Sequence, residues 1–326
     1  MSDNGAIPKV LGLRAGDLVE VRSEREILST LDSNGKLDGL PFMPEMVRYC
    51  GRQVRVYRRA DKTCDTVRAT GGSLRMTNAV HLDGSRCDGG HHGGCQAACL
   101  LFWKEAWLKP APARAGVSPP RAGTLAPRLT RADLEDLTTH RGPASEPDRA
   151  FMCQATELPR ATTRLRWWDP RPYLRELRSG NVGLGTFFRV LGIAWFNFAQ
   201  NLRNGTVYPS LHGTLQKTPS RRLDLQPGER VRVRSLKEIE ATLDTRRKNR
   251  GMSFGVEMVP YCGREFRVLQ RVTQIINEGT GRMMHLPGEC LILEGVTCRG
   301  HLGREKRFCP RSIYPFWREV WLERVE

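Results

Sequence analysis

Apolar and polar residues alternate over several short stretches of the chain, a pattern typical of strands that bury one face. It occurs at residues 18–22, 53–57 and 265–269. Ser23, with Glu26 three residues later, predicts a capping box at the start of a one- to two-turn helix, and Ser235 with Glu238 predicts a second one. Short strands, glycine turns and one short helix within about 90 residues predict a small, strongly bent antiparallel barrel.

This unit is present twice in the sequence. Residues 16–23 are repeated at 228–235, an offset of 212 positions (228 minus 16), and both copies end on Phe-Trp-x-Glu-x-Trp-Leu, at 102–108 and 316–322. Because the register is kept, we interpret the repeat as an internal duplication, which decides the architecture. The opening Gly-acidic-x-Val-x-Val-Arg-Ser is similar to the first strand of SH3-like barrels. The predicted fold class is mainly β, with two duplicated small SH3-like β-barrel modules joined by a partly helical, basic middle segment.

The repeat and the local composition together predict the domain boundaries. Proline and arginine mark a stiff linker, and aromatic residues mark the segment after it. The chain is predicted to contain a disordered lead at 1–15, repeat module 1 at 16–108, a Pro/Arg-rich linker at 109–150, a helical aromatic connecting segment at 151–222 and repeat module 2 at 223–326. The amino terminus lacks the basic cap and apolar core of a signal peptide, so we expect a cytoplasmic protein, with peripheral membrane contact as a further option.

The charge of the chain is strongly positive. The formal net charge is +17 and the pI is about 9.9. Residues 109–222 hold 18 Lys and Arg against 8 Asp and Glu, so this middle third supplies most of the excess. A basic segment of this kind either binds anionic partners, such as nucleic-acid phosphate or lipid headgroups, or is a solvated linker.

The most apolar run, residues 182–200, is predicted to form a helix. It is short for a membrane span and contains Arg189, which costs about 2.5–3.5 kcal/mol at a bilayer centre, so no transmembrane span is expected. Two interpretations remain: a helix packed between the two repeats, or an interfacial helix with aromatic anchors. The residues predicted to contact a protein partner or an anionic membrane surface are Trp167, Trp168, Arg189 and Trp195.

The ten cysteines are the strongest chemical signal in the sequence. In a reducing compartment they are better explained by metal ligation than by disulfides. The glycine-rich stretch at 88–95 can form the tight turn that brings thiolates round a small ion. Free buried thiols and an iron–sulfur cluster are the alternatives to zinc. The predicted zinc ligands are Cys64, Cys87, Cys95 and Cys99 in the first copy and Cys262, Cys290, Cys298 and Cys309 in the second.

Other residues near these cysteines are candidates for metal binding or for catalysis. The possible additional ligands are His81, His91, His92, Cys50 and His301. His91 and His92 could complete an open, catalytic zinc site, although a histidine pair in a glycine loop is more often solvated. Four recurring acids are interpreted either as acid–base groups or as residues that hold turns and ion pairs: Glu45, Glu257, Glu105 and Glu319. The tryptophans of the closing motif are predicted to seal each core, with an exposed stacking surface as the alternative.

Four short motifs give the chain a family resemblance. They are Tyr49-Cys50-Gly51, Gly94-Cys95-Gln96-Ala97, Trp167-Trp168-Asp169-Pro170 and Phe308-Cys309-Pro310-Arg311. With these motifs the chain resembles an uncharacterised family of bacterial tandem-repeat proteins. The resemblance spans most of the chain and implies the tandem architecture, but it implies no chemistry.

Three functions are compatible with these patterns. The leading hypothesis is a non-enzymatic binding or scaffold protein, in which zinc stabilises β modules and the basic aromatic segment contacts a partner or a membrane surface. The second is nucleic-acid binding by small barrels and basic arms, with affinity that falls steeply as salt rises. The third is a metalloenzyme with an open site near His91 and His92. Enzymatic activity is left open, with a non-enzymatic role favoured, because no phosphate loop, nucleophile elbow or His-Glu-x-x-His motif occurs.

Overall fold

The computed structural model describes residues 10–67, 72–111, 129–139, 150–166, 169–286 and 290–325. The chain divides into two compact units. The first contains residues 1–183 together with 276–283 and 309–311, and the second contains residues 184–275, 284–308 and 312–326. Most of the predicted linker lies outside the described residues, as do Trp167 and Trp168 of the predicted partner surface.

Strands make up most of the regular structure, which confirms the predicted mainly β fold class, and the sheet curls into a half barrel. The strands in the first part of the chain are β1 (Leu18–Val21), β2 (Lys36–Leu37), β3 (Leu40–Pro41), β4 (Gln53–Arg59), β5 (Lys62–Cys64), β6 (Ser73–Arg75), β7 (Ala79–Arg86), β8 (Leu100–Lys104), β9 (Leu108–Pro110) and β10 (Thr163–Arg164). Five of them form an antiparallel sheet in the order β8-β7-β4-β1-β9, and three form a smaller sheet in the order β10-β6-β5.

The helices of the first unit are short. They are α1 (Glu24–Leu28), α2 (Arg131–Thr139), α3 (Gln154–Glu157) and α4 (Arg171–Arg178), with 3₁₀ turns at Pro44–Tyr49 and Glu105–Trp107. The backbone N–H of Ser23 donates to Glu26 Oε2 at 3.0 Å, and the Glu26 N–H donates to Ser23 Oγ at 3.4 Å, so the predicted capping box is confirmed. Because Ile27 is fully buried, this cap fixes the helix with its apolar face against the core.

The second part of the chain contains a sheet with a matching strand order. Its strands are β11 (Arg230–Val233), β12 (Lys248–Asn249), β13 (Met252–Ser253), β14 (Glu265–Arg271), β15 (Gln274–Ile276), β16 (Met283–His285), β17 (Cys290–Leu293), β18 (Trp317–Arg318) and β19 (Leu322–Arg324). The five-stranded sheet has the order β18-β17-β14-β11-β19. A second capping box, of Ser235 and Glu238, begins the short helix α6 (Leu236–Glu240), as the sequence predicts. The 3₁₀ turns of this part are Val256–Tyr261, Arg304–Lys306 and Glu319–Trp321.

The apolar run of the middle segment forms the helix α5 (Leu184–Leu202), which belongs to the second unit. Phe187 and Val190 are its buried residues, and the Phe187 ring stacks on that of Phe308 with the centroids 5.4 Å apart. Its other apolar residues are largely exposed. None of the helices in the described part of the chain combines the length and the apolar character needed to cross a bilayer.

Two tryptophans of the closing motif seal the core of each sheet. Trp103 and Trp107 are fully buried in the first unit, and Trp317 and Trp321 are fully buried in the second, so the predicted core role is confirmed and the exposed stacking surface is excluded. The Phe42 ring meets the Trp107 ring edge-on at 5.3 Å, and Phe254 meets Trp321 in the same way at 5.3 Å. These edge-to-face contacts add to the burial of aromatic surface in both cores.

In each unit one buried glutamate, Glu105 or Glu319, forms hydrogen bonds that connect three segments of the chain. The carboxylate of Glu105 accepts hydrogen bonds from the backbone N–H groups of Leu11, Gly12 and Leu13 and from Arg59 Nη1, the last at 2.7 Å. Residues 11–13, which the sequence placed in a disordered lead, are therefore held against the end of β8. The Glu105 side chain is 0% exposed, and four donors around it compensate for the lost hydration of its charge.

The second unit repeats this arrangement with Glu319. Its carboxylate accepts from the N–H groups of Leu223, Asp224 and Leu225 and from Arg271 Nη1 at 2.7 Å. Burial alone would raise the pKa of Glu319, but the backbone donors and the Arg271 guanidinium outweigh it, so the pKa is lowered and the charged form is favoured.

Replacing Glu319 by glutamine tests this constraint. We expect Glu319→Gln to lower the free energy of unfolding by about 2–3 kcal/mol, because the amide cannot accept from four donors as the carboxylate does. Glu265→Gln is the control, since Glu265 pairs with Arg230 and Arg232 on the exposed surface, and it should cost less than about 1 kcal/mol. Denaturant unfolding followed by tryptophan fluorescence measures both. Equal effects of the two variants would contradict the role assigned to Glu319.

Candidate metal centre

Three side chains with metal-binding atoms converge in the first unit. Glu45 lies in the 3₁₀ turn Pro44–Tyr49, Cys87 directly follows β7, and His92 lies in the glycine-rich turn after it. One ligand atom from each of these residues lies within 4.8 Å of the others. Among the residues that the structure describes, this is the one group of three or more His, Cys, Asp and Glu side chains with such spacing.

The backbone of the glycine-rich turn explains how His92 reaches this position. Gly89 has a φ of +74°, and a Cβ atom there would lie 2.0 Å from the carbonyl oxygen of Cys95. The Gly89 carbonyl accepts hydrogen bonds from the N–H groups of His92 and Gly94, both at 3.0 Å. A side chain at position 89 would break this closed turn, so the glycine is required for the placement of the histidine.

The contacts within the group leave two buried atoms without a partner. His92 Nδ1 donates to Glu45 Oε1 at 2.7 Å, and both side chains are 1% exposed. The Cys87 thiol donates to the same oxygen at 3.7 Å. His92 Nε2 and Glu45 Oε2 are buried and have no hydrogen-bond partner among the described residues. A buried polar atom without a partner costs about 1–3 kcal/mol, and a cation bound at either atom would remove that cost there.

The donor set suits a transition metal. When the Nδ1–H of a neutral histidine donates a hydrogen bond to a carboxylate, Nε2 keeps a free lone pair. This is the usual arrangement of a metal-bound imidazole. Imidazole nitrogen, thiolate sulfur and carboxylate oxygen are the three ligand types that zinc accepts. The group of His92, Cys87 and Glu45 could therefore hold a metal ion.

The charges of the group are set by burial and by its own hydrogen bonds. Burial alone would raise the pKa of Glu45, but the hydrogen bond from His92 is the main effect that lowers it, so the pKa is lowered. Burial and the Glu45 carboxylate raise the pKa of the Cys87 thiol well above its usual range. Without a metal the thiol keeps its proton, so a metal must displace that proton to bind sulfur.

An open pocket of about 490 Å³ adjoins this group. Glu45 lines it, together with Arg48, Asp88, His91 and Arg131. Arg48 and Asp88 form an ion pair across its surface at 2.5 Å. His91, predicted as a possible ligand, therefore faces the pocket, while His92 belongs to the buried group.

Of the four ligands predicted for the first copy, the structure places only Cys87 in this group. Cys64 is buried at the end of β5, and Cys95 Sγ accepts the N–H of Ile276 at 3.4 Å. The Cys99 carbonyl accepts the N–H of Cys87 at 2.9 Å, and burial raises the pKa of the Cys99 thiol to about 12. Cys99 therefore contacts the group through a backbone hydrogen bond to Cys87.

A second polar cluster in the first unit contains Arg311, which is 3% exposed. Its Nη1 donates to Thr66 Oγ1 at 2.8 Å and its Nη2 to Glu278 Oε1 at 3.1 Å. Beside it, the N–H of Cys64 donates to Cys309 Sγ at 3.2 Å. Burial alone would raise the pKa of Cys309, but the hydrogen bond from Cys64 and the charge of Arg311 outweigh it and lower the pKa. Cys64 and Cys309, predicted for separate metal sites, are therefore neighbours.

The other cysteines predicted for the second copy lie in the second unit. Cys290 is buried on β17, and burial raises the pKa of its thiol to about 12. Cys262 packs against the core, and burial raises the pKa of its thiol to about 11. The Cys298 N–H donates to the Ile313 carbonyl at 2.7 Å. In the described part of the chain these thiols form no group of three ligands, and the second zinc site stays a prediction.

The remaining candidates from the sequence occupy varied environments. His81 is fully buried, its Nδ1 lies 2.8 Å from the Leu101 carbonyl oxygen, and burial lowers its pKa to about 3. Cys50 packs against the core of the first unit, where burial raises the pKa of its thiol to about 12. His301 Nδ1 lies 3.5 Å from Arg189 Nη2. The side chain that sequence reasoning did not assign to the metal is Glu45, whose only signal was its recurrence as Glu257.

The two recurring glutamates have different partners. The Glu257 carboxylate accepts hydrogen bonds from the backbone N–H groups of His301, Leu302 and Gly303, two of them at 2.7 Å. Backbone donors therefore satisfy Glu257, whereas Glu45 faces a histidine and a thiol. The recurrence predicted a structural role for this position but did not separate a satisfied carboxylate from a ligand.

No protein-family model, curated protein or solved structure matches the chain.

Substitutions at the candidate metal centre have a matched control in the second copy. Cys87→Ser is expected to weaken zinc binding roughly 100-fold. The binding free energy of a structural zinc site is about 10–16 kcal/mol, and each ligand contributes part of it. Cys298→Ser is the control, since Cys298 follows Leu293-Glu294-Gly295 at the same distance as Cys87 follows Leu82-Asp83-Gly84. Zinc affinity is measured by competition with a chromophoric chelator. Loss of one zinc equivalent in Cys298→Ser would instead support the predicted second site.

Zinc binding is expected to release a proton from the Cys87 thiol. Since burial raises the pKa of Cys87, the thiol is protonated at neutral pH, and only the thiolate binds the metal. The apparent affinity should therefore rise about tenfold per pH unit between about pH 6.5 and 8. Calorimetry in buffers of different ionisation enthalpy counts the released protons. An affinity that does not change with pH, or that changes equally in Cys87→Ser, would show that this thiol is not a ligand.

Proposed function

We propose that the protein is a non-enzymatic binding or scaffold protein of two β modules, the first of which is stabilised by a bound zinc ion. The observation that carries this proposal is the buried group of Glu45, Cys87 and His92, with His92 Nε2 and Glu45 Oε2 both unpartnered. A metal there would connect a 3₁₀ turn, the end of β7 and the glycine-rich turn. Binding energy at such a site is folding energy, because the unfolded chain does not hold the ligands together.

The tandem architecture is part of the same proposal. We propose that the two five-stranded sheets are SH3-like modules that arose by duplication, and that the chain belongs to the bacterial tandem-repeat family that it resembles. The matching strand orders support this, as do the equivalent glutamate clusters at Glu105 and Glu319. Small modules with thin cores gain most from an added ligand that binds only the folded state.

The basic middle segment is the proposed contact surface of the protein, which we place in the cytoplasm. Its helix α5 exposes Trp195 and Arg189, two residues that the sequence assigned to partner binding. Anionic partners fit its charge. Nucleic acid is the alternative, and a steep loss of affinity for DNA or RNA with rising salt would favour it.

A metalloenzyme is the second candidate, because the pocket beside the metal group could admit a substrate. Three protein ligands leave one position of a tetrahedral zinc for water or substrate, which is the pattern of catalytic sites. His91 faces that pocket and would be the group able to move a proton there. In this role the zinc would supply a Lewis acid, while Arg48 and Arg131 would attract an anionic substrate.

Metal analysis and thermal unfolding test the leading proposal. The purified protein is expected to contain zinc at Glu45, Cys87 and His92, and a chelator should lower the melting temperature. Zinc at about 1,000 times its dissociation constant adds about 4 kcal/mol to the free energy of unfolding. The Cys87→Ser variant is the control, since it should melt at one temperature with and without chelator. A protein without bound metal whose melting temperature does not change on adding zinc would refute the proposal.

A further inference from the structure

The helix α5 carries a continuous stripe of apolar side chains. Its members follow one another at intervals of four, three, four, three and four residues, a spacing that places them on one face of a helix. Five of the six are 61–73% exposed, and only Leu191 is partly buried. The stripe consists of Leu184, Phe188, Leu191, Trp195, Phe198 and Leu202.

This stripe is distinct from the face that anchors the helix to its unit. Phe187 and Val190 are buried, and the Phe187 ring stacks on Phe308. The helix therefore has two apolar faces, one packed and one in water. Single exposed apolar residues are common on protein surfaces, but a contiguous apolar patch marks a site of interaction.

The charge around the stripe indicates what covers it. Between Glu176 and Asp224 the sequence contains no acidic residue and six basic ones, namely Arg178, Arg189, Arg203, Lys217, Arg221 and Arg222. Within the described part of the chain, Arg189 and Arg203 have no carboxylate at ion-pair distance; their side-chain contacts are with His301 and Gln200. Arg189 lies on α5, and Arg203 directly follows its last residue, Leu202.

We propose that α5 lies in the interface of an anionic lipid bilayer, with the stripe among the upper acyl chains and Arg189 and Arg203 at the phosphate level. Tryptophan and phenylalanine on one face, with arginine on the other side of the helix and directly after its end, are the composition of interfacial helices. The helix is about 28 Å long, and it lies along the surface because it lacks the apolar character to cross. The inference rests on the proposed binding function, whose partner it names, but it needs no metal.

A second copy of the chain is the competing occupant, because the 4-3 spacing is also that of a coiled-coil seam. Two features count against it. The positions that flank the stripe, among them Gly185, Gly192 and Ala199, supply no opposite charges to pair two helices. Pairing would also bring together two basic segments, each without an acidic residue, and this repulsion would oppose it.

Flotation with vesicles tests the proposal on the full-length protein. The protein should bind vesicles of phosphatidylcholine and phosphatidylglycerol, and should bind pure phosphatidylcholine much less. The double variant Trp195→Ser/Phe198→Ser should bind about tenfold or more weakly, because two exposed aromatic side chains no longer leave water. Met284→Ser, which changes an exposed apolar residue of the same unit outside α5, is the control and should bind like the original protein.

A fluorescence measurement identifies the face that inserts. Trp195 is 72% exposed, whereas Trp103, Trp107, Trp317 and Trp321 are fully buried. Vesicles should shift the tryptophan emission to shorter wavelength. Trp195→Phe, made in a Trp167→Phe/Trp168→Phe background because those two tryptophans lie outside the described residues, should keep most of the binding and lose most of the shift. Arg189→Glu/Arg203→Glu should remove the preference for phosphatidylglycerol.

Each contrary result is specific. Absence of binding to the phosphatidylglycerol vesicles would overturn the proposal, as would equal binding by the Trp195→Ser/Phe198→Ser variant. A dimer in sedimentation that dissociates in this variant, without lipid binding, would identify the stripe as a self-association seam. Vesicle binding that persists in Cys87→Ser supports the lipid inference even if the protein holds no zinc. Zinc binding without vesicle binding would overturn the lipid inference alone.

Discussion

The structure depends on the requirement that a buried carboxylate be fully paired. Glu105 and Glu319 each lie at 0% exposure, and each is surrounded by three backbone N–H groups and one arginine. An unpaired charge at these positions would cost several kcal/mol, so none of the four donors can move independently. In the first unit this constraint fixes the positions of residues 11–13, of Arg59 at the end of β4 and of the turn Glu105–Trp107. In the second unit it fixes residues 223–225, Arg271 at the end of β14 and the turn Glu319–Trp321.

Glu45 and Glu257, which both occur in the sequence as Glu-Met-Val, have different surroundings. Glu257 is satisfied by a row of backbone N–H groups, which makes it part of a turn. Glu45 instead contacts His92 and Cys87. The glycine-rich turn places the His92 side chain beside Glu45, whereas backbone N–H groups lie beside Glu257. Both oxygens of Glu257 accept hydrogen bonds, whereas Glu45 Oε2 has no hydrogen-bond partner among the described residues. In the described part of the chain, Glu45 Oε2 is therefore a buried oxygen that could bind a cation.

Much of the fold could be predicted from the sequence, and less of the candidate site. The strand alternation, the capping boxes at Ser23 and Ser235, and the buried closing tryptophans are local or pattern-based, and the structure confirms them. The metal group was only partly foreseen: Cys87 was a predicted ligand and His92 a possible one. Glu45 was missed because its role depends on which side chains face it. Cysteine spacing along the chain grouped Cys309 with other thiols, although it lies next to Cys64.

The sequence by itself determined the elements whose cause is close in the chain: short strands from alternation, helix starts from caps, and the excess of basic charge in the middle segment. The tertiary structure alone decided which distant residues lie close together. It thereby decided the candidate ligand set at Glu45 and the hydrogen bond between the Cys64 N–H and Cys309 Sγ. It also decided which face of α5 is packed and which is exposed. The physical reason is that local propensity acts over a few residues, whereas burial, charge pairing and metal geometry depend on segments brought together only by folding.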